Sequence, residues 1–145
     1  MMESRISLIN FPNSINDPFL ITSPTSPLYN CIAWAYGDNE RWFWPQEQDA
    51  FWPENVTNSV KLDSFIELFV SIGYVQCDDS TLEEGYLKIA IYTNSNNLPT
   101  HAARQLENGE WTSKMGPWHD VSHSLNSMEN GEYGNATVFM KKAIS

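Results

Sequence analysis

The stretch that decides the fold is Tyr29–Ala35, which reads YNCIAWA. Before it lies Thr22–Pro27, whose prolines fix their own φ angles and bias the preceding residues away from helical geometry, which predicts an extended, exposed loop. The apolar residues from Ile32 onward then predict a buried helix that begins at about Cys31 and ends near Gly37. Free backbone N–H groups and the helix dipole stabilise a thiolate at a first helical turn. Cys31 is therefore a candidate nucleophile, and the alternative interpretation is a buried structural thiol.

Length and charge restrict the class of protein. The chain has 145 residues, 41% of them hydrophobic, which predicts one packed domain over residues 1–145 with a largely irregular N-terminal arm at 1–28. The formal net charge of -10 argues against nucleic-acid binding and against docking on anionic membranes, both of which need a basic surface. The same charge suits a basic protein partner.

The N-terminal sequence and the two cysteines predict the compartment. Met1–Arg5 lacks a basic region followed by a long apolar run, so no signal peptide is expected, and no stretch is long and apolar enough to span a membrane. We therefore expect a cytoplasmic protein in which Cys31 and Cys77 are free thiols, while export without a cleaved signal stays open. Alternation with Val75 predicts that Cys77 is a small core residue on a short strand.

The remaining pattern predicts the other elements. Apolar residues at helical spacing predict a helix over 58–73, and alternating residues predict strands at 87–92, 100–106, 110–115 and 133–141. The expected class is therefore α+β, with helices packed on an antiparallel sheet. The aromatic segment 40–55 has two interpretations: a loop packed over the core by its rings, or one wall of a substrate groove beside Cys31.

A cysteine nucleophile needs a base, and His101 at the start of a strand is the candidate. If Asn108-Gly109 forms a two-residue turn, His101 lies opposite Gly116, with Thr112 and Lys114 on the same face. A shift of one residue in register would exchange the residues that share this face with His101.

Other side chains complete the predicted site. Asp120 is the candidate for orienting the His101 ring, and Ser113 and Thr112 are alternatives. Asn30 is a candidate oxyanion donor together with the Cys31 backbone N–H.

The predicted substrate-binding residues are Trp34 and Arg104. Arg104 can hold a substrate carboxylate with two hydrogen bonds, and the alternative is a surface or structural ion pair. His119 and His123 have helical spacing, but no Glu lies between them as in H-E-x-x-H. We therefore expect no metal and no cofactor.

A cysteine at a helix N-terminus, followed by a histidine on a strand and a further polar residue, resembles the papain-like cysteine hydrolases, with the NlpC/P60 and CHAP amidase-peptidases nearest in size. The stretches YNCIAWA, THAARQ and WTSKMG also resemble a family of small bacterial domains with the pattern N-C-x-A-W-A … T-H-A-A-R … W-x-S-K-x-G. This second resemblance implies no particular activity. The first resemblance implies Cys31 as nucleophile, His101 as base and a papain-like arrangement of helix and sheet. The chain departs from the NlpC/P60 pattern around the nucleophile, where Asn30-Cys31-Ile32-Ala33 replaces Asp-Cys-Ser-Gly.

Two functions follow as predictions. The first is a thiol-dependent hydrolase of amide, peptide or isopeptide bonds, with a peptide, peptidoglycan-like or protein substrate; Cys31 attacks the carbonyl after His101 removes its proton. The second is a non-catalytic acidic interaction module, of a binding or immunity type, that masks a basic partner. The distance between the Cys31 sulfur and the His101 ring discriminates between them.

Overall fold

The computed structural model describes residues 11, 20–23, 28–115, 120–125, 129 and 133–144. Their elements, in chain order, are β1 (Leu20–Ser23), α1 (Cys31–Tyr36), α2 (Leu62–Val70), β2 (Val75–Cys77), β3 (Tyr86–Thr93), β4 (Pro99–Gln105), β5 (Trp111–Lys114), β6 (Asp120–His123) and β7 (Asn135–Ala143).

The strands form one seven-stranded sheet in the order β1-β6-β5-β4-β3-β7-β2, and each neighbouring pair is antiparallel. The long strands β3, β4 and β7 lie next to each other, with eight, seven and nine residues. The two helices are short, with six and nine residues.

The predicted class of helices packed on an antiparallel sheet, in the manner of papain-like or NlpC/P60 proteins, is wrong, because the fold is β-rich. Gly37 takes a φ of 103° and ends α1 after six residues. Two further strands also lie where irregular chain was expected. Leu20–Ser23, within the predicted arm, pairs with Asp120–His123, for which no strand was predicted.

Alternation along the strands gives the sheet two faces, each with its own core. The helix face presents Ile89, Ile91 and Ala102 to α1 and α2, and Phe65 and Phe69 of α2 are fully buried there. The opposite face, which we call the outer face, carries a second cluster formed by Phe11, Ala90, Tyr92, Ala103, Trp111, Met115 and Val121. Because side chains alternate between faces, neighbouring residues of one strand belong to different cores.

The register between β4 and β5 differs from the prediction by one residue. Arg104 pairs with Thr112, because the turn contains three residues, with Gly109 at a φ of 90° and the Leu106 N–H donating to the Glu110 carbonyl. The predicted position of Thr112 and Lys114 on the face of His101 is therefore wrong. Ser113 lies on that face instead.

Cys77 does not lie in the core as predicted. It is partly exposed on β2, a three-residue strand at the edge of the sheet, and its neighbour Val75 is 57% exposed. Both cysteines are free thiols.

Candidate functional site

Asn30 connects α1 to the aromatic segment that follows it. Its side-chain oxygen accepts from the N–H groups of Ala33 at 3.1 Å and Phe43 at 3.2 Å, and its amide nitrogen donates to the Phe43 carbonyl at 2.7 Å. Asn30 is therefore the N-cap of α1 and a buried tether for the next loop. The amide that was predicted to stabilise an oxyanion is already bonded to backbone.

Cys31 occupies the first position of α1, as predicted, but its environment opposes ionisation. The N–H groups of Ala102, Ile32 and Cys31 face the sulfur, and these dipoles and the charge of Lys114 lower its pKa. Burial acts in the other direction and is the largest effect, so the pKa of the thiol rises to about 11. At neutral pH the sulfur is therefore protonated.

The position of Cys31 follows from how β4 meets β5. Their ladder pairs Arg104 with Thr112 and Gln105 with Trp111, so Ala102 lies beyond the last pair, and its N–H faces the sulfur. Ala102 is fully buried on the helix face and small enough for α1 to pack closely over the strand. Cys31 is thus part of this packing.

His101 lies on the outer face, in a chain of buried polar groups. Its Nε2 is 2.8 Å from the Ser113 hydroxyl, which is 2.7 Å from Nε2 of His123. His123 Nδ1 is 2.6 Å from the Ser124 carbonyl and donates to it, because a carbonyl only accepts. With a neutral His123, the Ser113 hydroxyl then donates to His123 and accepts the Nε2 proton of His101.

The surroundings of His101 keep its ring neutral. The ring is fully buried, stacks on Tyr133 at 4.1 Å between centroids and meets the edge of Tyr92 at 5.4 Å. Burial, with a smaller contribution from His123, holds its pKa well below the ordinary value of 6.5. Nδ1 of His101 is buried, and no group in the described ranges bonds to it.

The structure does not bring the predicted catalytic residues together. Cys31 belongs to the core of the helix face, whereas His101 contacts side chains of the outer face, and Ser113 holds its Nε2. The backbone of Asp120 pairs with Lys114, so its register position is not on the face of His101. Ser113, which the sequence left as an alternative partner, bonds to the histidine. Catalysis by Cys31 and His101 stays a prediction that this geometry does not favour.

The predicted substrate-binding residues contact each other. The Arg104 guanidinium lies 4.0 Å from the centre of the Trp34 ring, and the indole N–H of Trp34 donates to the Thr112 hydroxyl at 3.3 Å. Tyr29 stacks on Trp34 at 5.7 Å between ring centres, and Lys114 lies 4.7 Å from the Tyr29 ring centre. These alternating cations and rings stabilise the packing of α1 on β4 and β5.

A cavity of about 290 Å³ opens at the start of α1. Its walls include Trp42, Trp44 and Tyr133, and Glu47 is the charged residue among its described lining groups. We call it the aromatic cavity, and its lining residues are Asn30, Cys31, Trp42, Trp44, Glu47, Thr100 and Tyr133. The sequence predicted Asn30 and Cys31 as catalytic groups and placed the two tryptophans in a possible groove wall, but it singled out neither Glu47 nor Tyr133.

The aromatic segment packs over the core, as the first interpretation predicts, and its role as a substrate groove stays a prediction. Phe43 and Phe51 meet at 4.9 Å, and Trp44 and Trp52 each contact Phe65 of α2 at 5.2 Å, so these rings pack over the core. Trp42 and Trp44 also line the aromatic cavity.

The described residues hold neither a metal-ligand group nor a helix that could cross a membrane. Within these ranges no three His, Cys, Asp or Glu side chains are grouped closely enough to hold a metal ion. No helix among them has the length and apolar character needed to cross a membrane. His119, considered above as a ligand, lies outside the described residues.

The fold and the cavity define a small β-rich domain with an acidic surface. Residues 20–141 match the family described as a domain of unknown function, DUF7689, and the chain belongs to that family. No curated protein and no solved structure matched the chain.

Proposed function

We propose that this domain is a non-catalytic binding module that takes a cationic side chain of a basic protein partner into the aromatic cavity. The observation that carries the proposal is the composition of the lining, in which Trp42, Trp44 and Tyr133 accompany the carboxylate of Glu47. Aromatic faces attract lysine and arginine head groups, and a carboxylate beside them adds direct charge attraction.

The surface beside the cavity has the same character. An adjoining cavity of about 500 Å³ shares Trp42 and is lined by Glu40 and Asp49. Arg41 also lines it, but its guanidinium is held by Asp38 at 2.8 Å and lies 3.8 Å from the Phe51 ring centre. An extended basic segment can therefore place one cation in the aromatic cavity and others along this acidic surface. The net charge of -10 favours the approach of such a partner.

Hydrolysis by Cys31 is less well supported than binding. Cys31 is one of the residues that line the aromatic cavity, but the pKa of its thiol is raised to about 11, and the described lining includes no imidazole. The ring of Tyr133 both lines the cavity and stacks on His101. An imidazole base for Cys31 is therefore missing from the described part of the cavity.

We expect Glu47→Gln to weaken binding of a labelled lysine-rich peptide by about threefold, because an exposed charge pair contributes at most about 1 kcal/mol. Fluorescence anisotropy at low salt measures the affinity. Trp42→Ala is expected to weaken it by about tenfold, through loss of the aromatic face.

The control is Glu54→Gln, which removes one carboxylate from another exposed position, outside the cavity lining. We expect this variant to bind like the parent protein. Equal losses in Glu47→Gln and Glu54→Gln would indicate attraction by net charge alone and would contradict the proposed site, as would equal binding of a glutamate-rich peptide.

A further inference from the structure

A second cavity, at the other end of α1, has the opposite charge. It has a volume of about 320 Å³, and its lining includes Lys88, Arg104 and Lys142, three of the chain's eight basic residues. Glu107 is the one carboxylate among its described lining groups and lies exposed on the β4–β5 turn. We call it the basic cavity. Its positive charge comes mainly from Arg104 and Lys142, because the Lys88 ammonium is paired with Asp79 and Glu83.

Arg104 is held in place on one wall of this cavity. Its guanidinium stacks 4.0 Å from the centre of the Trp34 ring, and Trp34 is fixed in turn by its bond to Thr112. Tyr74 lies beside it, buried and edge-on to Phe69 at 5.8 Å. The charge of Arg104 lowers the pKa of Tyr74, although burial raises it by more, so the guanidinium acts on the phenol. A guanidinium that is already oriented loses little entropy when it binds a ligand.

Lys142 faces the same cavity from β7. Its aliphatic stem packs on Gly73, where an added Cβ would lie 3.3 Å from the lysine Cε, and its ammonium lies 6.0 Å from the Tyr74 ring centre. Lys142 makes no ion pair within the described ranges. By contrast, the ammonium of Lys88 lies 3.4 Å from carboxylate oxygens of both Asp79 and Glu83. Lys142 therefore has the less compensated charge of the two.

We propose that the basic cavity binds a small molecule through a carboxylate or phosphate group, held by Arg104 and Lys142. A guanidinium fork matches two oxygens of either group, and an ammonium adds a second charge without a fixed direction. Cavities of this volume accommodate small organic ligands. This site is separate from the aromatic cavity and takes a ligand of opposite charge, so the two proposals stand or fall independently.

The test is a titration of the isotope-labelled full chain with inorganic phosphate and, separately, with succinate, at constant ionic strength adjusted with sodium chloride. Amide and indole resonances report binding, and the Trp34 indole N–H lies next to the Arg104 guanidinium. We expect saturable shifts at Trp34, Tyr74, Arg104 and Lys142. The probe that binds more tightly identifies the group that the cavity prefers.

Matched variants distinguish binding in the basic cavity from attraction by the overall charge of the protein. Lys142→Gln is expected to weaken binding of the tighter-binding probe by about tenfold, which is the effect of losing one charge-assisted hydrogen bond. Lys61→Gln removes the same charge from an exposed position outside the cavity and is expected to leave the affinity unchanged. Equal weakening in both variants would overturn the proposal. So would shifts that rise linearly with both probes and spread over the whole surface.

Discussion

Gly134→Ala is expected to destabilise the protein by about 3 kcal/mol, because its new methyl group would meet the backbone of the neighbouring strand. A Cβ built on Gly134 lies 2.0 Å from the Thr93 carbonyl oxygen and 2.8 Å from its carbon. The φ of Gly134 is +82°, a conformation that alanine also disfavours. The end of β3 and the start of β7 would have to separate, where the register between them already shifts.

Gly85→Ala is the matched control for this substitution. Gly85 has nearly the same φ, +84°, but no atom lies within 4 Å of its added Cβ. We expect a loss of about 1 kcal/mol, from backbone conformation alone. Urea unfolding measures both variants. Equal losses at Gly134 and Gly85 would show that the close approach of β3 to Gly134 is wrong.

The second large effect is the loss of stability in acid that His101 produces. Its pKa in the folded protein is well below 6.5, the ordinary value that it regains on unfolding. Below pH 6.5 the unfolded chain therefore binds a proton that the folded chain excludes, and stability falls with falling pH. The expected slope is about 1.4 kcal/mol per pH unit, continuing down towards the folded pKa. Above the pKa that His101 has in the unfolded chain, the ring is neutral in both states, so its titration no longer changes the stability.

Urea unfolding between about pH 5 and 7 measures this slope, since most carboxylates titrate at lower pH. His101→Gln removes the titrating ring and is expected to reduce the slope of the unfolding free energy against pH by the amount that one proton contributes. Ser113→Ala is the control, because it removes the hydroxyl that lies 2.8 Å from His101 but leaves the His101 ring able to titrate. We expect this variant to have a lower free energy of unfolding at every pH and the same slope against pH as the parent protein. An unchanged slope in His101→Gln would contradict the buried, neutral state of this histidine.

The elements with strong periodicity could be predicted from the sequence. Apolar spacing located α2, Leu62–Val70, inside the predicted range 58–73, and α1 begins at Cys31 and ends at Gly37 as expected. The short strands β1 and β6 were missed, because four residues give too little alternation to distinguish a strand from a loop. These two strands, together with an α2 shorter than predicted, are why the predicted fold class was wrong.

The geometry of the candidate site depends on the length of one turn and on the burial of one thiol, and neither could be predicted from the sequence. A turn of three residues instead of two moved Ser113 to the face of His101 and placed Thr112 and Lys114 on the other. The position of Cys31 at the start of a helix could be predicted from the sequence. The direction in which the pKa of its thiol shifts depends on how completely the surrounding side chains exclude water. Burial outweighed the helix N-terminus, and this balance follows only from the assembled core.

The Cys31 thiol belongs to the core of the helix face, and the His101 ring lies on the outer face of the sheet. The most direct test of this separation is the rate of Cys31 alkylation by iodoacetamide as a function of pH, in a Cys77→Ser background with and without His101→Gln. We expect an apparent pKa of about 11 that His101→Gln leaves unchanged, with Cys77, partly exposed, reacting faster than Cys31 in the parent protein. Rapid alkylation of Cys31 near neutral pH that disappears in His101→Gln would show a working Cys–His pair and would contradict this structure.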